Sequence, residues 1–506
     1  MSLLSLFAYG LFNFLALVLI LGYLIRLWWI KRVIEVYEKI PLPSLDDFSE
    51  KTAKFGLPYL LGSSVGLTPD ERISAYRKMG KPKMFKARLL HLPIIVTTSK
   101  EDFSLASTLR KAPTYKPYEN FLGRQSILFQ TGDKARKERS MLNKGFGQHN
   151  YRAIHSTMVK IGDRILNRIL TEEIPKNKNL FFYANDVFPR AALEVIAEGG
   201  FGFPINLPEN QQYLDALRNL FRIPGNPICQ LPFGAQIMMW KEKECLQTIH
   251  GLIDKTVNER VQLFKEQGKN ETDQRGRDLL DFVIEASMAS EDGKQVSLQW
   301  IRDQIQLLFV GGSDTTGTTL CWVFNILAYK QDIQNKVKEE IKKLESSDPK
   351  LLDYDLVNQM SYADAVIKET LRLYPPIFMI SRRLNDDETD FRGIPVKKEW
   401  NAIIECGILY TNRDEEYFPN PDEFNPERWR TPGGADFEAF GSFSFGFRQC
   451  LGKNFSILEM KTFIWRILRE HTICPAFPDE KFPELVVEDF LSGPNKLYGL
   501  VLKRDE

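Results

Sequence analysis

One cysteine of this chain has neighbours that suit a metal-bound cofactor. The chain has 506 residues and 6 cysteines, and Cys450 lies in the stretch FSFGFRQCLG, which begins at Phe443. Thiolate is the form of cysteine that binds metals, and Gly446 and Gly452 allow the backbone to turn tightly and approach a flat ligand. Arg448 adds a permanent cation that suits a carboxylate. The other five cysteines lack the close spacing of a zinc site or a redox pair.

A second stretch, LLFVGGSDTTGTTLCWVFNILAY at residues 307–329, is apolar but interrupted by glycines and hydroxyl groups. Glycine inside a helix costs about 1 kcal/mol relative to alanine. Gly311 and Gly312 therefore predict a groove where a flat cofactor, oxygen or substrate lies against the backbone. Asp314 and Thr315 form an acid–alcohol pair able to relay protons. A central aspartate favours a buried helix over a second membrane span.

Two further stretches predict a buried ionic network. In KETLRLYPP, Glu369 and Arg372 are three residues apart and share one face of a helix, which the two following prolines end. Arg428, in FNPERW, is placed to complete a triad with them. Glu and Arg at this spacing are usually a solvated surface pair, so the triad depends on the surrounding pattern.

Together these residues resemble the cytochrome P-450 monooxygenases. The pattern Phe-x-x-Gly-x-Arg-x-Cys-x-Gly resembles the haem-binding loop of that family, and Gly-Gly-x-Asp-Thr-Thr resembles its long distal helix. The resemblance implies that Cys450 is the axial thiolate ligand of haem b. It also implies that Phe443, Gly446, Arg448, Gly452 and Gly312 lie at the haem, and that Glu369, Arg372 and Arg428 are structural.

Other haem contacts implied by the resemblance match the family pattern less completely. Arg139 occupies the position of an arginine that reaches a haem propionate, but Ala135 stands where the family has an aromatic residue or histidine. Arg382 and Arg383 lie in a predicted strand, where adjacent side chains face opposite ways. Only one of them is therefore expected to face the haem, and the sequence leaves the choice open.

The resemblance implies that the enzyme inserts one oxygen atom from O2 into a lipophilic small molecule, by hydroxylation or epoxidation. The expected electron donor is an NADPH–cytochrome P-450 reductase. Its candidate docking residues are Lys134, Arg136, Lys137 and Lys453, and the alternative for each of them is an ordinary solvated surface charge. One alternative is a haem-thiolate isomerase or dehydratase acting on a peroxide, although such relatives commonly lose the acid–alcohol pair. A second alternative is a membrane-anchored haem sensor without turnover.

The same resemblance predicts a mostly apolar substrate pocket. Its expected lining is residues 115–129, Leu308 and Phe309, residues 377–379 and the region near Phe490. Residues 221–240, FRIPGNPICQLPFGAQIMMW, are expected to dip into the membrane or to cap the core.

The resemblance implies that the elements positioning these residues are mainly α-helical with a minor β-sheet lobe, the cytochrome P-450 fold, and we expect one transmembrane helix before them. Residues 2–25 carry no charge and are long enough to cross a bilayer, and Arg26 and two tryptophans follow them. The apolar run is too long for a cleaved secretory signal. We therefore expect an anchor at residues 1–30, a Pro-containing linker at 31–46 and a catalytic domain at 47–506.

These features place the expected enzyme in the endoplasmic reticulum membrane, spanning it once with the catalytic domain in the cytosol. The sequon at Asn270 would then never be glycosylated. The net charge of +1 gives no support to nucleic-acid binding, and 43% hydrophobic with 26% charged residues is typical of a globular chain.

Overall fold

The computed structural model describes most of the chain after its amino terminus. The described residues are 28, 31, 35–45, 68–89, 92–119, 122–177, 181–206, 210, 212–213, 215–216, 234–267, 278–288, 298–347, 352–385, 390–397, 400, 402–479, 482, 485–488, 491–494 and 499–505. The chain forms two compact units. The smaller comprises Met1–Ala112 and Met379–Tyr410, and the larger Pro113–Phe378 and Thr411–Glu506.

The smaller unit is built on a five-stranded sheet. Its strands are β1 (Met84–Leu89), β2 (Leu92–Thr97), β3 (Arg110–Lys111), β5 (Ile380–Arg383) and β8 (Ile403–Cys406), and β6 (Asp390–Phe391) and β7 (Ile394–Pro395) form a separate ribbon. The strand order is β1-β2-β8-β5-β3, and all pairs are antiparallel except β2 with β8, which is parallel. Helices α1 (Pro69–Lys78) and α2 (Lys100–Thr108) belong to the same unit.

Local chemistry explains where α1 begins. Thr68 and Glu71 form a capping box, in which the Thr68 N–H donates to Glu71 Oε2 at 2.8 Å and the Glu71 N–H donates to Thr68 Oγ1 at 3.3 Å. Pro69 follows at the first helical position, where the missing N–H costs nothing.

Part of the predicted linker is packed against the sheet. The buried Lys86 ammonium on β1 donates to the carbonyls of Tyr37 and Ile40 at 3.0 and 3.1 Å. Ser44 pairs with Lys86 in an isolated bridge, and Leu45 is buried. Residues 35–45 are therefore held by strand β1.

No helix in the described part of the chain is long and apolar enough to cross a membrane. The predicted anchor, apart from Trp28, lies outside the described residues.

The larger unit is mainly helical, as predicted. Its helices are α3 (Gly132–Asn143), α4 (Gln148–Arg168), α5 (Ile174–Lys176), α6 (Ala184–Glu194), α7 (Gly234–Gln267), α8 (Leu279–Met288), α9 (Leu298–Tyr329), α10 (Gln331–Ser347), α11 (Asp353–Gln359), α12 (Ser361–Leu373), α13 (Ile408–Thr411, which crosses the unit boundary) and α14 (Lys453–Leu468). Wider π-type turns follow α4 and α6 at Ile169–Glu173 and Val195–Gly200.

Small sheets complete this unit. One has the order β4-β12-β9, and the other pairs β10 with β11. These strands are β4 (Phe182–Tyr183), β9 (His471–Pro475), β10 (Leu485–Glu488), β11 (Leu491–Pro494) and β12 (Gly499–Arg504).

Helix α9 runs through the core of the larger unit and packs closely on α6. Phe188 and Phe324 stack with ring centroids 4.4 Å apart, and Trp322 stacks on Tyr374 at 4.1 Å. Helix α14 also contacts α9. The helix that carries Asp314 and Thr315 and the helix that follows Cys450 are thus neighbours in one core.

Candidate active site

The cysteine loop is a tight turn fixed by its own backbone. A single 3-10 turn spans Gly446–Arg448, and the Cys450 N–H donates to the Phe443 carbonyl at 2.8 Å. Gly446 has φ +55°, a left-handed conformation that glycine adopts without strain. Ser444 adopts φ +62° in the same loop. The predicted need for glycine at position 446 therefore has a backbone reason.

The Cys450 sulfur lies in a recess. Water can reach its side chain, yet enough protein surrounds it for burial to raise the pKa of the thiol. Hydrogen bonds from the backbone N–H groups of Gly452 and Lys453, and the positive charges of Arg139 and Lys453, act to lower that pKa. Such donors and cations stabilise a negative charge on the sulfur, so that it can bind a ligand in the recess as a thiolate.

Two arginines at this loop, Arg448 within it and Arg139 beside it, are bonded to backbone carbonyls. Arg448 donates to the carbonyls of Gln130 at 2.6 Å and Ile127 at 3.3 Å. Arg139, on α3, donates to the Gln449 carbonyl beside the cysteine. Burial lowers the pKa of Arg139, and the Cys450 sulfur opposes that shift. The predicted propionate contacts of both arginines stay predictions. Ala135 is buried.

The two predicted groove glycines on α9 differ from each other. Gly311 is exposed within this largely buried helix, and a Cβ there would meet nothing within 4 Å. A Cβ on Gly312 would lie 3.0 Å from Ile196 Cγ1. Gly312 thus packs against the Ile196 side chain, whereas Gly311 faces open space, and the predicted approach of a cofactor at Gly312 stays a prediction.

Hydroxyl groups bond to the carbonyls of α9 around this opening. Thr315 Oγ1 donates to the Gly311 carbonyl at 2.8 Å, Thr319 to Thr315 at 2.7 Å, and Ser313 to Phe309 at 2.7 Å. Such bonds to the preceding turn bend helices slightly. They place the Thr315 hydroxyl at the exposed Gly311, with Asp314 as its half-buried neighbour.

In the smaller unit, burial distinguishes the two arginines of strand β5. Arg382 is 2% exposed, whereas Arg383 is exposed. Arg382 donates from Nη1 to the Ser381 carbonyl, but its buried Nε has no hydrogen-bond partner among the described residues. A buried arginine donor left in this way suits an anionic group.

The predicted triad is assembled at zero to 5% exposure. Arg372 donates to both Glu369 oxygens at 2.8 and 2.9 Å, and Arg428 Nε donates to Glu369 Oε1 at 2.9 Å. Trp429 Nε1 donates to Glu369 Oε2 at 2.9 Å, a partner that sequence reasoning missed. Burial acts to raise the pKa of Glu369, but the Arg372 and Arg428 guanidinium groups and the Asn425 N–H hold it below its usual value.

These arginines also fix the chain between α12 and the cysteine loop. Arg372 donates to the carbonyls of Asn412 and Pro421 at 2.7 and 2.6 Å. Arg428 donates to the Pro419 carbonyl at 2.6 Å. The buried carboxylate is thus the centre of a network that ties α12 to residues 412–429.

Gly317 was another omission of the sequence reasoning. A Cβ there would lie 2.5 Å from Pro189 Cα, so α9 and α6 contact each other through their backbones. The signal available in the sequence was a third glycine in the interior of an apolar helix, six residues after Gly311.

The residues present fit haem, a flat iron cofactor that bears carboxylates. In the larger unit the thiol lies in a recess, and a glycine on a neighbouring helix faces open space.

Comparison with known proteins supports the same assignment. The family model described as cytochrome P450 matches residues 60–498. The chain is 29% identical to cytochrome P450 4V2 of Homo sapiens over 441 residues, covering 82% of the chain and 79% of that protein. It is 28% identical to cytochrome P450 4V2 of Rattus norvegicus over 446 residues (83% and 80%). It is also similar to cytochrome P450 4d1 of Drosophila melanogaster, 26% identical over 441 residues (82% and 84%).

Proposed function

The chain belongs to the cytochrome P450 family and is a haem-thiolate monooxygenase, and on this premise we propose that it hydroxylates or epoxidises a lipophilic small molecule with electrons from an NADPH-dependent reductase. The observation that carries the proposal is Cys450 in its recess, with the Gly452 and Lys453 N–H groups directed at the sulfur. Haem iron bound there would activate O2, because axial thiolate donation favours O–O cleavage.

The chain's own residues would hold and orient this cofactor. Cys450 would bind the iron, Phe443, Gly446 and Gly452 would shape the loop that carries it, and the Gly452 and Lys453 N–H groups would tune electron donation from the sulfur. The resemblance assigns a propionate contact to Arg382 or Arg383 of the smaller unit, and Arg382 is the buried one of the two. Arg448 and Arg139 would approach the propionates from the loop and from α3.

Thr315 and Asp314 would deliver protons. The Thr315 hydroxyl bonds to the Gly311 carbonyl at the exposed part of α9, where it could pass a proton from Asp314 to a ligand in the groove.

The apolar character of the predicted pocket supports a lipophilic substrate. Within the larger unit, Leu122, Ile127 and Phe309 are buried and Leu308 is half-buried. The predicted contribution near Phe490 lies outside the described residues, as does most of the 221–240 segment.

Exposed basic residues support the proposed electron donor, and the amino-terminal sequence supports the proposed location of the enzyme. Lys134, Arg136 and Lys137 are exposed on α3, the helix whose Arg139 contacts the cysteine loop, so an acidic reductase could dock there, close to Lys453. The charge-free residues 2–25 support a single-pass anchor in the endoplasmic reticulum membrane, with the catalytic region in the cytosol.

The absorption spectrum of the dithionite-reduced protein with carbon monoxide tests the proposal. We expect the strongly red-shifted Soret band of a thiolate-ligated complex in wild type and its loss in Cys450→Ala. Cys474→Ala, a half-buried cysteine on β9, is the matched control and should keep the band. A wild-type band in Cys450→Ala, or haem without the band in wild type, would contradict the assignment.

Product analysis then separates turnover from binding. With reductase, NADPH and a panel of fatty acids, sterols and terpenoids, we expect a product that contains one atom of 18O from 18O2. Product made without NADPH would indicate an isomerase, and no product from any member would contradict the proposed substrate class.

A further inference from the structure

Residues 122–130, here called the anchored loop, are held by two side chains of helix α9. Asp303 Oδ2 accepts from the Gln125 N–H at 2.6 Å. Gln304 Oε1 accepts from the Ile127 N–H at 3.0 Å, and Gln304 Nε2 donates to the Gln125 carbonyl at 3.0 Å. Two adjacent side chains therefore satisfy three backbone groups of a loop about 178 positions earlier in the chain.

The loop backbone lies directly against the helix backbone. Gly123 has φ +78°, and a Cβ there would be 2.6 Å from Asp303 Cα. Asp303 and Gln304 are 3% and 1% exposed. Because water has little access to these hydrogen bonds, removing a side-chain partner would leave buried backbone groups unpaired.

The cysteine loop holds the other end of the anchored loop. Arg448, two residues before Cys450, donates to the carbonyls of Ile127 and Gln130 at 3.3 and 2.6 Å. The anchored loop is thus bonded both to α9, which carries Thr315, and to the loop that carries the sulfur.

We propose that Asp303 and Gln304 are positioning residues that set selectivity among lipophilic substrates, by fixing the anchored loop in one backbone conformation. They precede Asp314 by ten or more residues, about 15 Å along a helix, so they act through the loop and not on the reacting atoms. The inference rests on the proposed function, because the loop selects substrates only if it lines the pocket of a haem-thiolate monooxygenase.

Gln304→Met is the informative substitution, because it keeps the length of the side chain and removes both its donor and its acceptor. Gln306→Met is its matched control. Gln306 lies one half-turn further along α9, is also 1% exposed, and bonds to His250 on α7 at 3.0 Å. The same chemical change is thereby made on the same helix, away from the anchored loop.

The first measurement is amide hydrogen exchange of the haem-loaded protein, followed by mass spectrometry of peptides that cover residues 122–130. We expect exchange there to be about tenfold faster or more in Gln304→Met, since two sheltered hydrogen bonds are lost. Gln306→Met should exchange at the wild-type rate in these peptides.

The second measurement reports selectivity without a known substrate. A series of n-alkylimidazoles of increasing chain length is titrated against the ferric protein, because the imidazole nitrogen binds the iron and the alkyl chain occupies the pocket. We expect wild type and Gln306→Met to share one dependence of Kd on chain length. In Gln304→Met the spread of Kd across the series should shrink by about threefold or more, with the reduced carbon monoxide band unchanged.

The outcomes distinguish a failure of the positioning role from a failure of the proposed function. Wild-type exchange and wild-type selectivity in Gln304→Met would overturn the inference, and so would faster exchange with unaltered selectivity. If Gln304→Met does not bind haem, Asp303→Asn replaces it, because asparagine cannot accept from both Gln125 N–H and Gln299 Nε2 as Asp303 does. A wild-type protein without the thiolate carbon monoxide band would instead refute the proposed function, and this inference with it.

Discussion

At Cys450, burial and hydrogen bonding shift the pKa of the thiol in opposite directions. Burial raises the pKa of the thiol, while the Gly452 and Lys453 N–H groups and the Arg139 and Lys453 charges favour the thiolate. A metal ion deprotonates the thiol that binds it, so iron in the recess would settle the balance in favour of the charged form.

The Thr315 hydroxyl is expected to matter for coupling more than for folding. In Thr315→Ala the bond to the Gly311 carbonyl is lost, and with it the proposed proton donor. We expect haem content and the carbon monoxide spectrum to stay at wild-type level, while product formed per NADPH falls by about a hundredfold, as for loss of a general acid. NADPH oxidation, peroxide and product are measured together.

Thr319→Ala controls for the loss of a hydroxyl that bonds one turn back. Thr319 makes the equivalent bond to the Thr315 carbonyl at 2.7 Å but is buried. This variant should remain coupled. Tight coupling in Thr315→Ala, or equal uncoupling in both variants, would contradict the proton-delivery role.

At the scale of elements, the ionic network joins α12 to a distant 3-10 turn at Pro426–Trp429. Each guanidinium also bonds backbone carbonyls, so the charges are compensated within a region that water hardly reaches. Breaking one member of a buried pair typically costs about 3–5 kcal/mol, because the remaining charge is left unpaired. The network therefore fixes a connection that neither element makes alone.

Glu369→Gln should weaken this connection in a pH-dependent manner. The folded-state pKa of Glu369 lies below its ordinary value of 4.5, so the unfolded state takes up the proton first. The stabilisation from the carboxylate is complete above that value and is lost as the pH falls through the lower folded pKa. We expect Glu369→Gln to unfold in urea with a free energy about 3 kcal/mol lower at pH 7, and to lose less stability than wild type between pH 5 and pH 3.

Glu427→Gln is the surface control for that measurement. The Glu427 side chain is 42% exposed and pairs with Lys336 and Arg430, so its loss should change the free energy of unfolding by less than about 1 kcal/mol. An acid dependence of Glu369→Gln identical to that of wild type would show that Glu369 does not carry the charge in the folded protein.

The packing of α9 against α6 gives a prediction on two glycines of one helix. In Gly317→Ala the new methyl group would lie 2.5 Å from Pro189 Cα, which is backbone and cannot rotate away. The helices must separate, at a cost of about 1–3 kcal/mol. Gly311→Ala meets no protein atom within 4 Å and should be neutral or slightly stabilising in the protein without haem. Thermal unfolding of both variants without haem tests this, and equal melting temperatures would contradict it.

At the scale of elements, the sequence predicted those features that depend on residues close to one another in the chain. The apolar run with a polar centre predicted α9, and the two prolines after Tyr374 predicted the end of α12. Contacts between distant segments left no local signal. The Gly317–Pro189 approach and the Asp303–Gln125 bond depend on tertiary packing, and so does the bonding of Lys86 to residues 35–45, which the sequence presented only as a Pro-containing linker.

For the whole molecule, charge balance bears on how a membrane would be reached. With 67 basic and 66 acidic residues, the chain has no net attraction to anionic lipid. Attachment through the charge-free residues 2–25 would rest on burial of apolar surface, which salt does not weaken.

Removal of residues 1–30 should therefore separate attachment from catalysis. We expect the full chain to float with neutral phosphatidylcholine vesicles even at 1 M salt, where charges are screened within about 3 Å. The shortened chain should stay behind while it keeps the same carbon monoxide spectrum, because Cys450 and the residues around it belong to the larger unit, which begins at Pro113. If the shortened chain still floats, the membrane contact lies elsewhere, and a second variant that also lacks the apolar residues of 221–240 would locate it. If the shortened chain instead loses the thiolate band, the amino-terminal segment is required for the haem site, and its assignment as a separate anchor is wrong.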